Sequence, residues 1–200
     1  FAGIRSILSA FVSSHNGGHD LNHEIFTQHN PAAALVSLSL MIGVANGITE
    51  ENVLGPNPGR DFAIAGVVML LGIAAVYCYR FTHLRGQSFM KVMFTDDNPA
   101  AGLSLFGFAL SANIIFYSVA KAVRGYALPT ADTVGLLLAV SAAVLIGLVV
   151  IRTVLQWLIS LKYVSLSYEI NHPTQKNLGA GFIDFCTTLG TTFILVGGLV

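Results

Sequence analysis

The chain has 200 residues, 54% of them hydrophobic and only 10% charged, with a mean hydropathy of +0.71. Soluble domains carry roughly 25% charged residues, so this chain lacks the charge to coat a water-facing surface and belongs in a membrane; a soluble enzyme fold is disfavoured. Ten Lys and Arg balance ten Asp and Glu, which removes the basic excess that drives nucleic-acid binding.

In chain order, Phe1 to Ile4 reads as the last turn of a helix whose remainder is missing, and with no starting Met the N-terminus is expected to be incomplete or processed. Ile4, Ile7, Leu8 and Phe11 then fall at i, i+3, i+4 and i+7 opposite Arg5, Ser6 and Ser9, the pattern of an amphipathic segment lying in the interface. His15, His19 and His23 follow at four-residue spacing with Asp20, Glu24 and His29 nearby. On a helix that spacing puts imidazoles on one face, as a metal site requires. Gly17-Gly18 weakens such a helix, no HExxH is formed, and a solvated polar loop or partner contact is the plainer interpretation.

Crossing a hydrocarbon layer of about 30 Å takes roughly 20 helical residues. Five stretches qualify: Ala32 to Thr49, Asp61 to Tyr79, Ala100 to Ala120, Thr133 to Ile151 and Leu178 to Val200. None shows the alternation of a barrel strand. Gly, Pro and polar clusters at 52–60, 85–98 and 124–132 connect them. Ile151, Val154, Leu155 and Leu158, opposite Arg152, Thr153 and Gln156, read as a second interfacial segment, with Trp157, Tyr163 and Tyr168 in the aromatic belt. From Val164 to Ile170 the alternation leaves helix and strand both open.

The chain repeats itself. Ile4 to Ser13 (IRSILSAFVS) matches Ile151 to Ser160 (IRTVLQWLIS), and Arg5 to Asn30 and Arg152 to Asn177 both span 25 residues. A shorter middle copy repeats Phe26-Thr27-x-x-Asn30-Pro31-Ala32-Ala33 as Phe94-Thr95-x-x-Asn98-Pro99-Ala100-Ala101. Asp61 and Asp132 open corresponding spans that close at Arg80 and Arg152. The expected fold is an all-α polytopic membrane bundle of three tandem two-helix repeats, at about 1–49, 61–120 and 133–200 of a single transmembrane domain. Five full spans and the end of a first one are present. Paired spans return the chain to one side, so the three Asn turns share a face. That face carries seven Lys and Arg against three opposite, an excess expected on the cytoplasmic side.

Asn30 and Asn98 precede a Pro at the first helical position, an arrangement suited to capping; Asn177 caps without one. Three converging helix N-termini also suit an anion or headgroup. The Ala and Gly after each Asn let helices approach closely. Asp184 is the one acid well inside a span, where a charge costs about 2.5–3.5 kcal/mol. It is expected to face protein or water, hydrogen-bonded by Thr187 and Thr188, in a structural role or handling a proton or cation. Asn46 and Asn113 lie deep in their spans as interhelical hydrogen-bond formers. Cys78 and Cys186 sit in apolar runs as packing residues. Neither a phosphate loop nor a nucleophile elbow nor a paired carboxylate set can be assembled, so no catalytic residue and no cofactor is expected.

At Asn30-Pro31-Ala32-Ala33-Ala34-Leu35, Asn98-Pro99-Ala100-Ala101-Gly102-Leu103 and, more loosely, Asn177-Leu178-Gly179-Ala180-Gly181-Phe182, the chain resembles the DUF350 family of bacterial inner-membrane proteins. The resemblance implies tandem two-helix units in the cytoplasmic membrane, and no established reaction or cofactor. Together these features favour a non-enzymatic scaffold or accessory subunit that packs against copies of itself or other membrane proteins. The alternative is a small ion or solute transporter using Asp184, Asn46 and Asn113. A metal- or lipid-responsive sensor through His15, His19 and His23 ranks third.

Overall fold

The computed structural model of the chain describes Ser6 and residues 21–51, 57–84, 87–126, 128–159, 166–172 and 176–197, with backbone alone for 47–51. Six α-helices lie among them: α1 (Pro31–Glu51), α2 (Pro58–Thr82), α3 (Pro99–Arg124), α4 (Thr130–Ile159), the single turn α5 (Leu166–Ile170) and α6 (Leu178–Gly197). No strand occurs among the described residues. The molecule is an all-α membrane bundle: α2, α3, α4 and α6 are each long and apolar enough to cross a bilayer, and α1 contributes the apolar stretch Pro31–Asn46. Of the segment 164–170, in which helix and strand were both open, residues Leu166–Ile170 form the one-turn helix α5, and 164–165 lie outside the described residues.

Two π-helical turns, His23–Thr27 and Lys91–Thr95, precede α1 and α3 and are built alike. In each, the residue after the π-turn returns its N–H to the turn's first carbonyl, Gln28 to His23 and Asp96 to Lys91. His29 (φ 55°) and Asp97 (φ 44°) then take left-handed backbone, a region where His and Asp are enriched among non-glycine residues. That reversal aims the following Asn-Pro at the next helix, where Pro has no N–H to leave orphaned.

α3 is the axis of the packing. It contacts α1, α2, α4 and α6, and 72% of its apolar stretch is buried, against 17% for α4. The helices that follow the Asn turns form a row, α1 on α3 and α3 on α6; α2 lies against both α1 and α3, and α4 against both α3 and α6. The row is held by backbone contacts. A Cβ on Gly102 would lie 2.9 Å from Ala32 Cα, and one on Gly181 would lie 2.8 Å from Ala100 Cα. Both glycines stand four residues after their capping Asn, and both alanines stand two after theirs. One joint is therefore used twice, α1–α3 and α3–α6. Deeper along α1 and α2, Gly43 and Gly72 meet backbone to backbone.

Two expectations need correcting. α4 does not close at Ile151 or Arg152 but continues unbroken to Ile159, so the predicted interfacial segment is the end of a span; α2 likewise runs past Arg80 to Thr82. Its faces are also inverted relative to a helix on a water-covered core. Val154 and Leu158 are 51% and 53% exposed, while Arg152 and Gln156 are 3% and 9%. Lipid solvates an apolar stripe, so the polar stripe turns inward. The cysteines are not core packing residues: Cys78 and Cys186 are both free and exposed. Trp157 and Tyr168 are exposed; Tyr163 and the segment Ile4 to Ser13, except Ser6, lie outside the described residues.

Candidate functional site

Asp184, in the second turn of α6, is fully buried, and its carboxylate is the centre of a polar cluster drawn from four helices. From α4, Arg152 donates through Nε to Oδ1 at 2.8 Å and brings Nη2 within 2.5 Å of the same oxygen. Gln156, one turn further along α4, donates through Nε2 to Oδ1. From α3, the Ser104 hydroxyl donates to Oδ2. From α2, the Tyr79 hydroxyl lies 2.8 Å from Ser104 Oγ and 3.2 Å from the Ala101 carbonyl. Since the Ser104 proton goes to Asp184, Tyr79 is the donor to Ser104, and a hydroxyl chain runs Tyr79 to Ser104 to Asp184.

Local sequence explains the positions. Arg152 and Gln156 are four apart and share a face of α4. Gly181 lets α6 approach α3 closely enough for Ser104 and Asp184 to meet. Tyr79 and His83 are also four apart, one on the last turn of α2 and the other just past its end. Their rings stack at 4.2 Å, and His83 meets the edge of Phe108 at 5.0 Å. The Asn171 amide donates to the His83 carbonyl at 2.9 Å. Burial, with the Arg152 guanidinium adding to it, holds the His83 imidazole well below its usual pKa. Nε2 of His83 is buried without a hydrogen-bond partner.

Arg152 and Gln156 therefore take the place expected of Thr187 and Thr188. Thr187 is half-buried and donates to the Ile183 carbonyl; Thr188 is buried, its hydroxyl without a partner. Sequence reasoning missed Arg152, Gln156, Ser104 and Tyr79 as a set. The signal was the i, i+4 pair of polar side chains on a helix whose other positions are apolar.

The remaining candidates lie elsewhere. The Asn46 amide donates to the Asn113 carbonyl at 2.7 Å and reaches its Oδ1 at 3.3 Å, tying α1 to α3, and Asn113 donates to the Ala109 carbonyl. Gly72 makes room, since a Cβ there would sit 2.5 Å from Asn113 Oδ1. At the turns, Oδ1 of Asn30 accepts from Ala33 N at 2.8 Å, Asn98 from Ala100 and Ala101 N at 3.1 Å, and Asn177 from Ala180 N at 3.1 Å. Their amides act across units: Asn30 donates to the Met93 carbonyl at 3.1 Å and Asn98 to the Ile170 carbonyl at 2.8 Å, whereas Asn177 donates to Glu169 beside it. The Ala32 N–H, at the start of α1, donates to the Asp97 carboxylate of the second turn.

His15 and His19 lie outside the described residues. His23 is in the first π-turn with Nε2 3.2 Å from Gln28 Nε2. Among the described residues no group of three or more His, Cys, Asp or Glu is arranged to hold a metal.

No curated protein and no solved structure matches the chain. Residues 59–199 match the family described as Domain of Unknown Function (DUF350). That match starts in the first turn of α2 and runs past the end of α6, taking in every residue of the Asp184 cluster. The chain belongs to the DUF350 family.

Proposed function

We propose that this membrane protein is a non-enzymatic scaffold or accessory subunit of the cytoplasmic membrane, acting through helix–helix assembly with its Asn turns on the cytoplasmic side. The observation that carries this is the internal use of the cluster: both oxygens of Asp184 are occupied by Arg152, Gln156 and Ser104, and all four belong to different turns of α3, α4 and α6. A carboxylate so engaged fixes helices relative to one another. Removing any one partner would leave a buried charge or dipole uncompensated, so the cluster specifies one arrangement of the bundle. The cationic excess on the turn face supports the orientation. Native mass measurement in mild detergent should find the chain in complexes with itself or a membrane partner; monomers alone, over a range of detergents and concentrations, would overturn the proposal.

One observation favours a second reading, transport of a proton or small ion. Ionisable groups inside a membrane are functional candidates by default, and the Tyr79–Ser104–Asp184 hydroxyl chain ends beside His83 near the turn face. Reconstituted into proteoliposomes, the protein would then carry a pH- or cation-dependent flux that Asp184→Asn abolishes. Equal flux from both proteins, matching empty liposomes, removes this reading.

A further inference from the structure

The row α1–α3–α6 repeats one joint and then stops, leaving an unused half at each end. In the α3–α6 joint the earlier helix offers Ala100, Ser104 and Gly107, and the later one brings Gly181, Asp184 and Phe185. A Cβ on Gly107 would lie 2.9 Å from Phe185 Cα. Counting from the capping Asn, the places of Ala100, Ser104 and Gly107 on α6 are held by Gly179, Ile183 and Cys186. All three are exposed, Ile183 by 43%. The places of Gly181, Asp184 and Phe185 on α1 are held by Ala34, Ser37 and Leu38. Ala34 and Ser37 are half-buried, and Leu38 is 44% exposed.

The turns show the same incompleteness. Phe94, in the π-turn that receives the Asn30 amide, is 5% exposed; Phe26, at the matching place in the first π-turn, is 66% exposed. Asn177 is exposed and, among the described residues, its amide donates to Glu169 of its own unit, whereas the amides of the other two asparagines bridge to the next segment. An exposed asparagine and an exposed π-turn are what remain when a joint of this kind lacks its other half.

We propose that a second copy of the chain supplies it: α1 of one molecule seats on α6 of the next, with Leu38 on Cys186 as Phe185 sits on Gly107, and Asn177 directed at the Ile25–Phe26 carbonyls of the neighbour. α1, α3 and α6 all start from Asn turns on one face, so this contact keeps every copy in the same orientation. It is head-to-tail and builds a ring where the rotation closes. This rests on the assembly reading above and names its partner and its faces.

The test uses the full chain in native membranes with Cys78→Ala throughout. One epitope-tagged chain carries Leu38→Cys with Cys186→Ala; a second, differently tagged chain keeps Cys186 with Leu38 unchanged. Co-expressed and oxidised, the two should give a disulfide-linked dimer bearing both tags, at least fivefold above the same pair with Cys186→Ala in both chains. A same-tag dimer of the Leu38→Cys chain in place of the mixed one indicates a symmetric contact and overturns the proposal, as does an adduct of Leu38→Cys with a different protein. With no mixed dimer, native mass separates the two failures: oligomers or heterocomplexes overturn this joint and keep the assembly reading, and monomers overturn both.

Discussion

The α1–α3 and α3–α6 joints have the same geometry and opposite chemistry. Gly102 on Ala32 and Gly181 on Ala100 set the backbones equally close. One step deeper, the first joint holds Val36 and Leu105, both buried, where the second holds Ser104 and Asp184. The outer helices follow suit. Arg80, near the end of α2, is exposed, whereas Arg152, its counterpart on α4, is 3% exposed and paired to Asp184. Small residues after the Asn are thus sufficient to build the row. The polar cluster is an addition to a joint that works without it, and an acid introduced there has to bring a cation and donors from the neighbouring helix to be tolerated.

The largest expected effect comes from taking the polar joint apart. Arg152→Met or Asp184→Leu alone leaves an unpaired buried charge and should destabilise the bundle by about 3–5 kcal/mol. Replacing Ser104, Arg152, Gln156 and Asp184 together by Val, Met, Leu and Leu makes the second joint resemble the first. Recovery to wild-type stability or above is expected, since well-packed apolar residues commonly replace a buried ion pair at no cost. Reversible unfolding in mixed micelles measures both. A quadruple variant as unstable as the single ones would show that the two joints are not interchangeable.

Next comes the shared backbone contact. Gly102→Val and Gly181→Val force a side chain into Ala32 and Ala100 and should each cost about 1–3 kcal/mol, by similar amounts if the joints are equivalent. Gly66 has open space around it, so Gly66→Ala should be neutral or stabilising by up to about 1 kcal/mol. Equal losses at Gly66 and Gly181 in the same unfolding assay would remove the case for a close-approach joint.

A smaller contrast separates the asparagines. Asn98→Ala deletes a cap and the bond to the Ile170 carbonyl, with an expected loss of about 1–2 kcal/mol. Asn177 caps Ala180 N but is exposed and bonds within its own unit, so Asn177→Ala should lose the cap alone, about 0.5–1 kcal/mol in the monomer. Amide exchange at the first turns of α3 and α6 reports the difference directly.

How much of this was legible in the sequence depends on which solvent the reasoning assumed. Length and hydropathy placed the helices within a few residues except at the end of α4, which runs on from Ile151 to Ile159, and the Asn-Pro-Ala-Ala pattern located the caps, because both follow from local backbone chemistry. Asp184 stood out as the acid in an apolar run. Its partners did not, because the stripe Ile151, Val154, Leu155 and Leu158 opposite Arg152 and Gln156 reads as an interfacial segment with its polar side toward water. Next to lipid that orientation reverses, and Arg152 with Gln156 becomes the inner face. The π-turns had no available signature: the left-handed residues that follow them are His29 and Asp97, which do not announce positive φ as glycine does.

The last contrast concerns pH and the surroundings of the polar joint alone. His83 is packed by Tyr79 from α2, Phe108 from α3 and the Asn171 amide at its carbonyl, with the Arg152 charge from α4 nearby and Thr82 Oγ1 against Nδ1. Burial, with the Arg152 charge adding to it, disfavours an imidazolium here, so the folded protein keeps His83 neutral while the unfolded chain titrates it near 6.5. Below that pH the unfolded state takes up a proton that the folded state refuses. Stability from this group is therefore complete above about pH 7 and declines as the pH falls through 6.5, by at most about 1.4 kcal/mol per pH unit. His83→Phe keeps the stack on Tyr79 and should flatten the unfolding midpoint between pH 7 and 5 relative to wild type. An unchanged slope in that variant would mean that another group carries the acid sensitivity.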